Sequence, residues 1–596
     1  MKTKNRNNIG IFIMIRKIFP MCMRAGRFNF WLIQIVNIIA GLACGIDLLI
    51  TQMLFDSAYN LAIGTATYKR ALMALCIFAI IKIFANIIEG IRQYTIEVHG
   101  TRVLGYMMSL IHKKSAEIDP ILYEDPSYLD DINKATSGTD ASIYFCSVIS
   151  FVFTYHIPYL FFLIWYLRNL QPILILCLFF IFVPVIISHL FRSKLIAKLE
   201  DTSAPIRRQY NEYYNACCGK DFYKETKILG AFTYLRELLC HSIKALNYAI
   251  LNTQRKVAII DLLFNGLTLL GYGGVLFLSV KCMLDGEISV GAFAAVISSI
   301  DSLFSSIEYL IGDHLGSIAD NFGEIRNFLR FLQIPSRKNT FQFVEKNDEI
   351  IAENVSFRYP NSSKDALKNI NLRINPRETV AIVGENGAGK STLVKLLIGL
   401  YSPTRGKITI GGKKINEVDY KSAFKGISGV FQKYNKYSLT LKENIEISDF
   451  YASDKDKRLR KAITDGRIDL QNISKFPQGL DTMLSREFEG VDLSGGEWQR
   501  IAIARGLYRK SDIVILDEPT ASIDPIEESN IYNTFSTIAK NKTAIIVTHR
   551  MSASRIADRI VVMKDGEIVE CGTYEELLSA NGMYAKMFAM QAKWYT

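Results

Sequence analysis

Apolar runs of about twenty residues, the length a helix needs to cross hydrocarbon, constrain this chain more than any other feature of its sequence. They recur near residues 30–55, 71–91, 144–167, 171–191, 258–283 and 288–312. Backbone N–H and C=O groups find no partner in lipid, so each run has to cross as a helix whose hydrogen bonds close within itself. Six crossings return the chain to the side from which it started. Hydrophobic residues make up 49 % of the chain, charged residues only 21 %, and the mean hydropathy is +0.15. A chain with an all-aqueous surface seldom has that balance. At 596 residues there is still room for a soluble domain beside the helices.

The basic residues orient the runs, because Lys and Arg close to span ends are held on the cytoplasmic side. The connection after the second run carries Arg92, Arg102, Lys113 and Lys114, and that after the fourth carries Arg192, Lys194, Lys198, Arg207 and Arg208. The turn after the third run offers only Arg168, and the turn after the fifth only Lys281 beside Asp285 and Glu287. Residues 1–29 are rich in Lys and Arg, have no acidic residue and lack a small-residue cleavage site, so they read as a cytoplasmic lead-in. The expected protein is multi-pass in the cell membrane, with the lipid bilayer around it and its N-terminus in the cytoplasm.

Both long cytoplasmic connections place apolar residues at helical spacing, as in Ile118, Leu122, Leu129 and Ile132, which predicts helices that continue beyond the membrane. Pro120 and Pro126 interrupt the first connection and predict a short transverse helix near Ile121–Asp131. Gly219 and Gly230 frame a similar segment in the second. The transmembrane domain then occupies 30–332, a Pro-containing charged linker 333–340, and a soluble domain 341–596. A net charge of +12 could suggest nucleic acid, but beside these spans it reads as loop and headgroup charge, and no nucleic-acid partner is expected. The ten cysteines show no paired zinc-type spacing and read as free thiols.

Chemistry concentrates in the soluble domain. The apolar strand Thr379–Val383 runs directly into Gly384-Glu385-Asn386-Gly387-Ala388-Gly389-Lys390-Ser391, and a helix follows from Thr392 to Leu400. This is a phosphate-binding (Walker A) loop in its required strand–loop–helix context. Its glycines let N–H groups converge on phosphate oxygens, Lys390 reaches the outer phosphates and Ser391 can hold Mg2+. Downstream, the apolar strand Ile513–Leu516 ends in Asp517 and Glu518. Asp517 suits magnesium, and Glu518 is placed to polarise the attacking water of ATP hydrolysis.

Leu493-Ser494-Gly495-Gly496-Glu497-Trp498-Gln499-Arg500 places small residues at a helix start, a second anion-directed end with no lysine of its own. The segment resembles the signature motif of the ATP-binding cassette (ABC) superfamily. The resemblance implies that Ser494, Gly495 and Gly496 meet the γ-phosphate held by the opposite subunit, so one chain cannot complete a site. By the same resemblance, Tyr359 stacks on adenine, Asn386, Gly387 and Thr392 belong to the nucleotide loop, and Gln432 senses magnesium and water. Asp524 lies in the D-loop and His549 is the switch histidine at the γ-phosphate. Six spans before such a domain resemble an exporter half-transporter. The implied fold is an α-helical polytopic domain with long cytoplasmic extensions followed by an α/β P-loop ATPase of the ABC type, with ATP and Mg2+ as cofactors.

The resemblance further implies ATP-driven export by alternating access with two ATP at a dimer interface. A homodimer is the simpler expectation and a heterodimer with a related half-transporter the other. An ATP-gated channel or membrane regulator using the same cassette is the alternative. Glu497 departs from the family, where glutamine is commoner. Among ionisable residues within spans, Asp47, Lys82, Glu89, Asp261, Asp301 and Glu308 stand out, since such groups face water or a partner. Asp301 and Glu308 share one helix face with Ser298, Ser302 and Ser305, a candidate substrate path for a drug, peptide or lipid.

Overall fold

The computed structural model describes residues 10–219, 222–298, 316–336, 348–417, 424–517, 535–536, 539 and 541–592. They form two compact units, Met1–Ala116 with Asp130–Ile334, and Glu117–Leu129 with Pro335–Thr596.

The first unit is helical. Helix α1 (Ile11–Ala25) buries Met14, Ile18 and Cys22 along one stripe of i, i+4 spacing. Next come α2 (Arg27–Ala62) and α3 (Tyr68–Glu117), then α4 (Pro126–Phe151), which passes through a π turn at Val152–His156 into α5 (Ile157–Leu170). Helices α6 (Ile173–Cys218), α7 (Tyr223–Ile228) and α8 (Phe232–Leu284) follow. Among the described residues, four stretches are long and apolar enough to cross a membrane: Arg27–Ala62, Tyr68–Glu117, Asp131–Leu170 and Phe232–Leu284. They contain the first, second, third and fifth predicted spans. The fourth predicted span falls within α6, and the sixth enters a helix at 290–298 before leaving the described residues.

Close helix contact in this unit depends on small residues, as expected where lipid offers no hydrophobic drive. A Cβ on Gly41 of α2 would lie 2.4 Å from the Tyr155 carbonyl oxygen. Below it, Leu48, Tyr159, Leu163 and Tyr166 pack as one buried cluster. The intramembrane charges have partners: Lys82 donates to Asp47 at 2.8 Å, Arg92 to Glu89 at 2.8 Å, and Ser188 to Asp261 at 2.8 Å. Asp301 and Glu308 lie outside the described residues.

The predicted transverse helix near Ile121–Asp131 takes a different form. Pro120–Glu124 is a single 3-10 turn, with the Asp119 carboxylate accepting the Ile121 N–H at 3.3 Å, and Pro126 opens α4. Proline is tolerated in a first helical turn, where its missing N–H has no partner to lose, so Pro126 starts a helix instead of extending the one before it. The second short segment is helical as expected, α7, ending at Gly230 with φ +63°.

The second unit holds two sheets. A four-stranded antiparallel sheet has the order β2-β1-β4-β5, from β1 (Ile350–Phe357), β2 (Leu367–Ile374), β4 (Arg405–Ile410) and β5 (Lys413–Lys414). A six-stranded sheet runs β10-β9-β3-β8-β7-β6, from β3 (Thr379–Gly384), β6 (Ile427–Val430), β7 (Ile513–Asp517), β8 (Thr543–Val547), β9 (Arg559–Lys564) and β10 (Glu567–Gly572). Neighbours from β9 to β6 are parallel. Every residue of β3, β7 and β8 is buried, which is why these strands read as unbroken apolar runs. In an open parallel sheet, ligands bind beyond the carboxyl ends of the strands. Lys390, Ser391, Gln432, Asp517 and His549 lie at those ends.

Candidate nucleotide site

The loop leaving β3 can only be built with glycine at its two closest approaches. Gly384 has φ +152° and Gly389 φ +97°, and added Cβ atoms would lie 2.3 Å from the Met563 carbonyl oxygen and 2.8 Å from Leu367 Cδ2, respectively. The loop turns tightly into the helix Lys390–Leu397, with Asn386 and Gly387 exposed at its tip. Lys390 is 5 % exposed, and its ammonium donates to the Gly384 carbonyl at 2.9 Å and the Glu385 carbonyl at 3.0 Å. The cation therefore lies along the loop.

Ser391 Oγ donates to Asp517 Oδ1 at 3.1 Å, joining residues 126 apart in the chain. Asp517 is buried at the end of β7 and pairs in register with Val547 of β8. His549 follows β8 by two residues and Gln432 follows β6 by two, both exposed. The Gln591 side chain brackets the histidine segment, donating to the His549 carbonyl at 2.5 Å and accepting the Met551 N–H at 2.9 Å. Lys390, Ser391, Asp517, His549 and Gln432 thus come from the ends of four neighbouring parallel strands. Glu518 and Asp524 are outside the described residues.

Tyr359 is tied to the same helix, because its hydroxyl shares a hydrogen bond of 3.0 Å with Thr392 Oγ1. Its half-buried ring stands edge-on to Phe357 and Tyr401. The constellation suits magnesium-bound ATP: a hydroxyl and a carboxylate already meet, a cation lies along a glycine loop at a helix start, and an aromatic ring is anchored alongside.

Ser494, Gly495 and Gly496 belong to a different core. They open the helix Gly495–Tyr508, whose Trp498, Ile501 and Tyr508 pack with Leu441, Leu459 and Phe476. The Walker A helix instead packs through Leu393, Val394 and Leu397 on the core of β1–β3. Ser494 is exposed and forms a capping box with Glu497: its N–H donates to the Glu497 carboxylate at 2.8 Å, and its Oγ accepts the Glu497 N–H at 3.4 Å.

Some residues around the site carry no signal in the sequence. Glu124, on the 3-10 turn after α3, accepts a short hydrogen bond from the Tyr401 hydroxyl and another from Lys395 Nζ at 3.3 Å. Ile121 of the same turn packs against the core that holds the Walker A helix. The Tyr401 hydroxyl, and secondarily the Lys395 ammonium, holds the Glu124 carboxyl below its ordinary 4.5 against the upward push of partial burial. With its folded value depressed, the contact is complete above the ordinary carboxylate range and is lost only as pH falls through the lowered value.

Comparison with known proteins agrees with this geometry. Residues 367–521 match the family described as ABC transporter. Subtilin transport ATP-binding protein SpaT of Bacillus subtilis is 31 % identical over 97 % of this chain and 94 % of its own length. Nisin transport ATP-binding protein NisT of Lactococcus lactis subsp. lactis is 42 % identical over 39 % of each chain. The solved structure of a bacterial Atm1-family ABC exporter with ATP bound shares the fold with a TM-score of 0.76, at 21 % identity, over 97 % of this chain and 98 % of that one. Kinship with SpaT at 31 % identity along almost the whole chain means that this membrane protein belongs to the ABC transporters, as an exporter-type transport ATPase whose helical membrane domain precedes its nucleotide-binding domain.

Proposed function

We propose that two copies of this chain export a peptide from the cytoplasm, closing around two ATP between their nucleotide-binding domains. The observation that carries this reading is the separation of the two anion-directed helix starts: Lys390 and Ser494 stand on different cores of one domain, and Ser494 is exposed. A phosphate gripped by one copy is then sealed by the other.

In this scheme Lys390 and the Gly384–Gly389 loop hold the phosphates, Tyr359 stacks on the base, and Ser494 to Gly496 of the second copy complete the γ-phosphate site. Ser391, Asp517 and Gln432 hold magnesium, which neutralises phosphate charge when bound. Glu518 polarises the attacking water, His549 contacts the γ-phosphate and Asp524 lines the junction between copies. Closure favours the outward-open membrane domain because ATP binds the closed arrangement more tightly, and hydrolysis resets it. A peptide cargo follows the relatives named for subtilin and nisin transport, and the acidic residues Asp301 and Glu308 of the sixth predicted span favour a basic one.

Uptake of a basic peptide into inside-out vesicles against its own gradient, driven by ATP, tests the reading. Flow that only dissipates a gradient would mean a channel, and stimulation of ATPase by lipids or hydrophobic cations but not peptides would reassign the cargo.

The Glu124 turn supplies a prediction of its own, because it is covalently continuous with α3 and α4 and hydrogen-bonded to the Walker A helix through Lys395. Glu124→Ala is expected to leave basal ATP hydrolysis near its normal rate and to reduce cargo-stimulated hydrolysis about fivefold, the lower end of coupling free energies of about 1–3 kcal/mol. Equal stimulation in variant and parent would remove this turn from the coupling route.

A further inference from the structure

The capping box at Ser494 is closed by a carboxylate, which creates an electrostatic problem. Glu497 accepts both the Ser494 N–H at 2.8 Å and the Ser494 hydroxyl at 2.9 Å through one oxygen, Oε2. A negative charge in a first helical turn steadies the helix but opposes any anion that approaches the same end. The remaining oxygen, Oε1, is engaged by Lys475 in a short ion pair. Burial pushes the Glu497 carboxyl up, but Lys475 and Ser494 together pull it below the ordinary range, so Glu497 stays ionised.

The partner of this charge is fixed in place. Lys475 is followed by Phe476, which is 5 % exposed and buried with Trp498 in the core beneath the signature helix. The Lys475 and Phe476 N–H groups both donate to the Asn472 carbonyl, at 3.0 and 2.9 Å. Phe476 and Trp498 thereby set their neighbours Lys475 and Glu497 side by side. Lys475 is itself half exposed, so its charge lies at the rim of the same helix start.

We propose that Lys475 is a positioning residue of the ATP reaction: by neutralising Glu497 it allows the Ser494–Gly496 helix start to receive the γ-phosphate held by a second copy. The inference rests on the composite site proposed above. It explains how this chain uses glutamate where an uncharged glutamine would leave no charge to cancel. Lys475 acts on the phosphate through Glu497 and exchanges no proton with it.

The test is a cycle of Lys475→Gln, Glu497→Gln and the double variant in the full-length dimer, read as KM for ATP and kcat. Lys475→Gln alone is expected to raise KM about tenfold with kcat changed less than threefold, the scale of one partly screened charge near a phosphate. Lys475→Arg is expected to restore KM. In the Glu497→Gln background the same lysine change is expected to leave KM where Glu497→Gln put it. A parental KM in Lys475→Gln overturns the proposal, as does a tenfold loss that persists in the glutamine background. Gly496→Asp serves as a control: if it too hydrolyses ATP normally, the composite site itself fails, whereas an inactive Gly496→Asp beside an unaffected Lys475→Gln sinks only the role of Lys475.

Discussion

Replacing Glu518 with glutamine is expected to leave ATP affinity near the parental value while turnover falls by about 10²–10⁴-fold, the range that loss of a positioned general base produces. In the sequence this carboxylate directly follows Asp517. Asp517 is buried at the carboxyl end of β7, in register with Val547, and receives the Ser391 hydroxyl at 3.1 Å. The amide retains the shape of the side chain but gives up the basicity that draws a proton from water. Dimers with closed nucleotide-binding domains should therefore accumulate, visible as unhydrolysed ATP retained on the protein. Lys390→Ala makes the contrasting case: it removes the cation along the loop, so nucleotide titration should show weakened binding before any step of hydrolysis is reached. Brisk phosphate release by the glutamine variant would take the general-base role away from Glu518.

How far such a site can be read from sequence depends on whether its parts are local. The Gly384–Ser391 loop was legible because glycines, lysine and hydroxyl must be contiguous to turn a strand into a helix around phosphate, and the structure builds that turn from β3 to Lys390–Leu397. The runs that became α2, α3 and α8 were legible because lipid tolerates only self-satisfied helices of a minimum length. The link between Ser391 and Asp517 could be expected because each segment offers a magnesium ligand, although nothing in either sets their distance. Contacts made by ordinary surface residues had no such guide. Glu124 with Tyr401, Gln591 with the His549 segment, and Lys475 with Glu497 each bring in a residue, Glu124, Gln591 or Lys475, that lies outside any chemical motif of the sequence. The segment near Pro120 differs from the predicted transverse helix for a physical reason: Pro126 suits the first turn of the next helix as well as it suits a break.

Mixing two inactive proteins is expected to restore activity. Lys390→Ala loses the grip on phosphate, while Gly496→Asp places a carboxylate where the signature helix receives it. The added acid sits in the first turn of Gly495–Tyr508, where negative charge stabilises a helix, so the fold should hold while the approaching phosphate is repelled. Homodimers of either variant contain only damaged sites if each site takes its loop from one copy and its signature from the other. A mixed dimer contains one site with both defects and one with neither. Random exchange at equal amounts makes half the dimers mixed, so nucleotide trapping should recover to roughly a quarter of the parental level in a two-fold symmetric assembly. Trapping is the primary readout because it registers a single competent site even if turnover demands two. Were each chain to complete its own site, no pairing of defects could repair either copy, and the mixture would stay as inactive as its components.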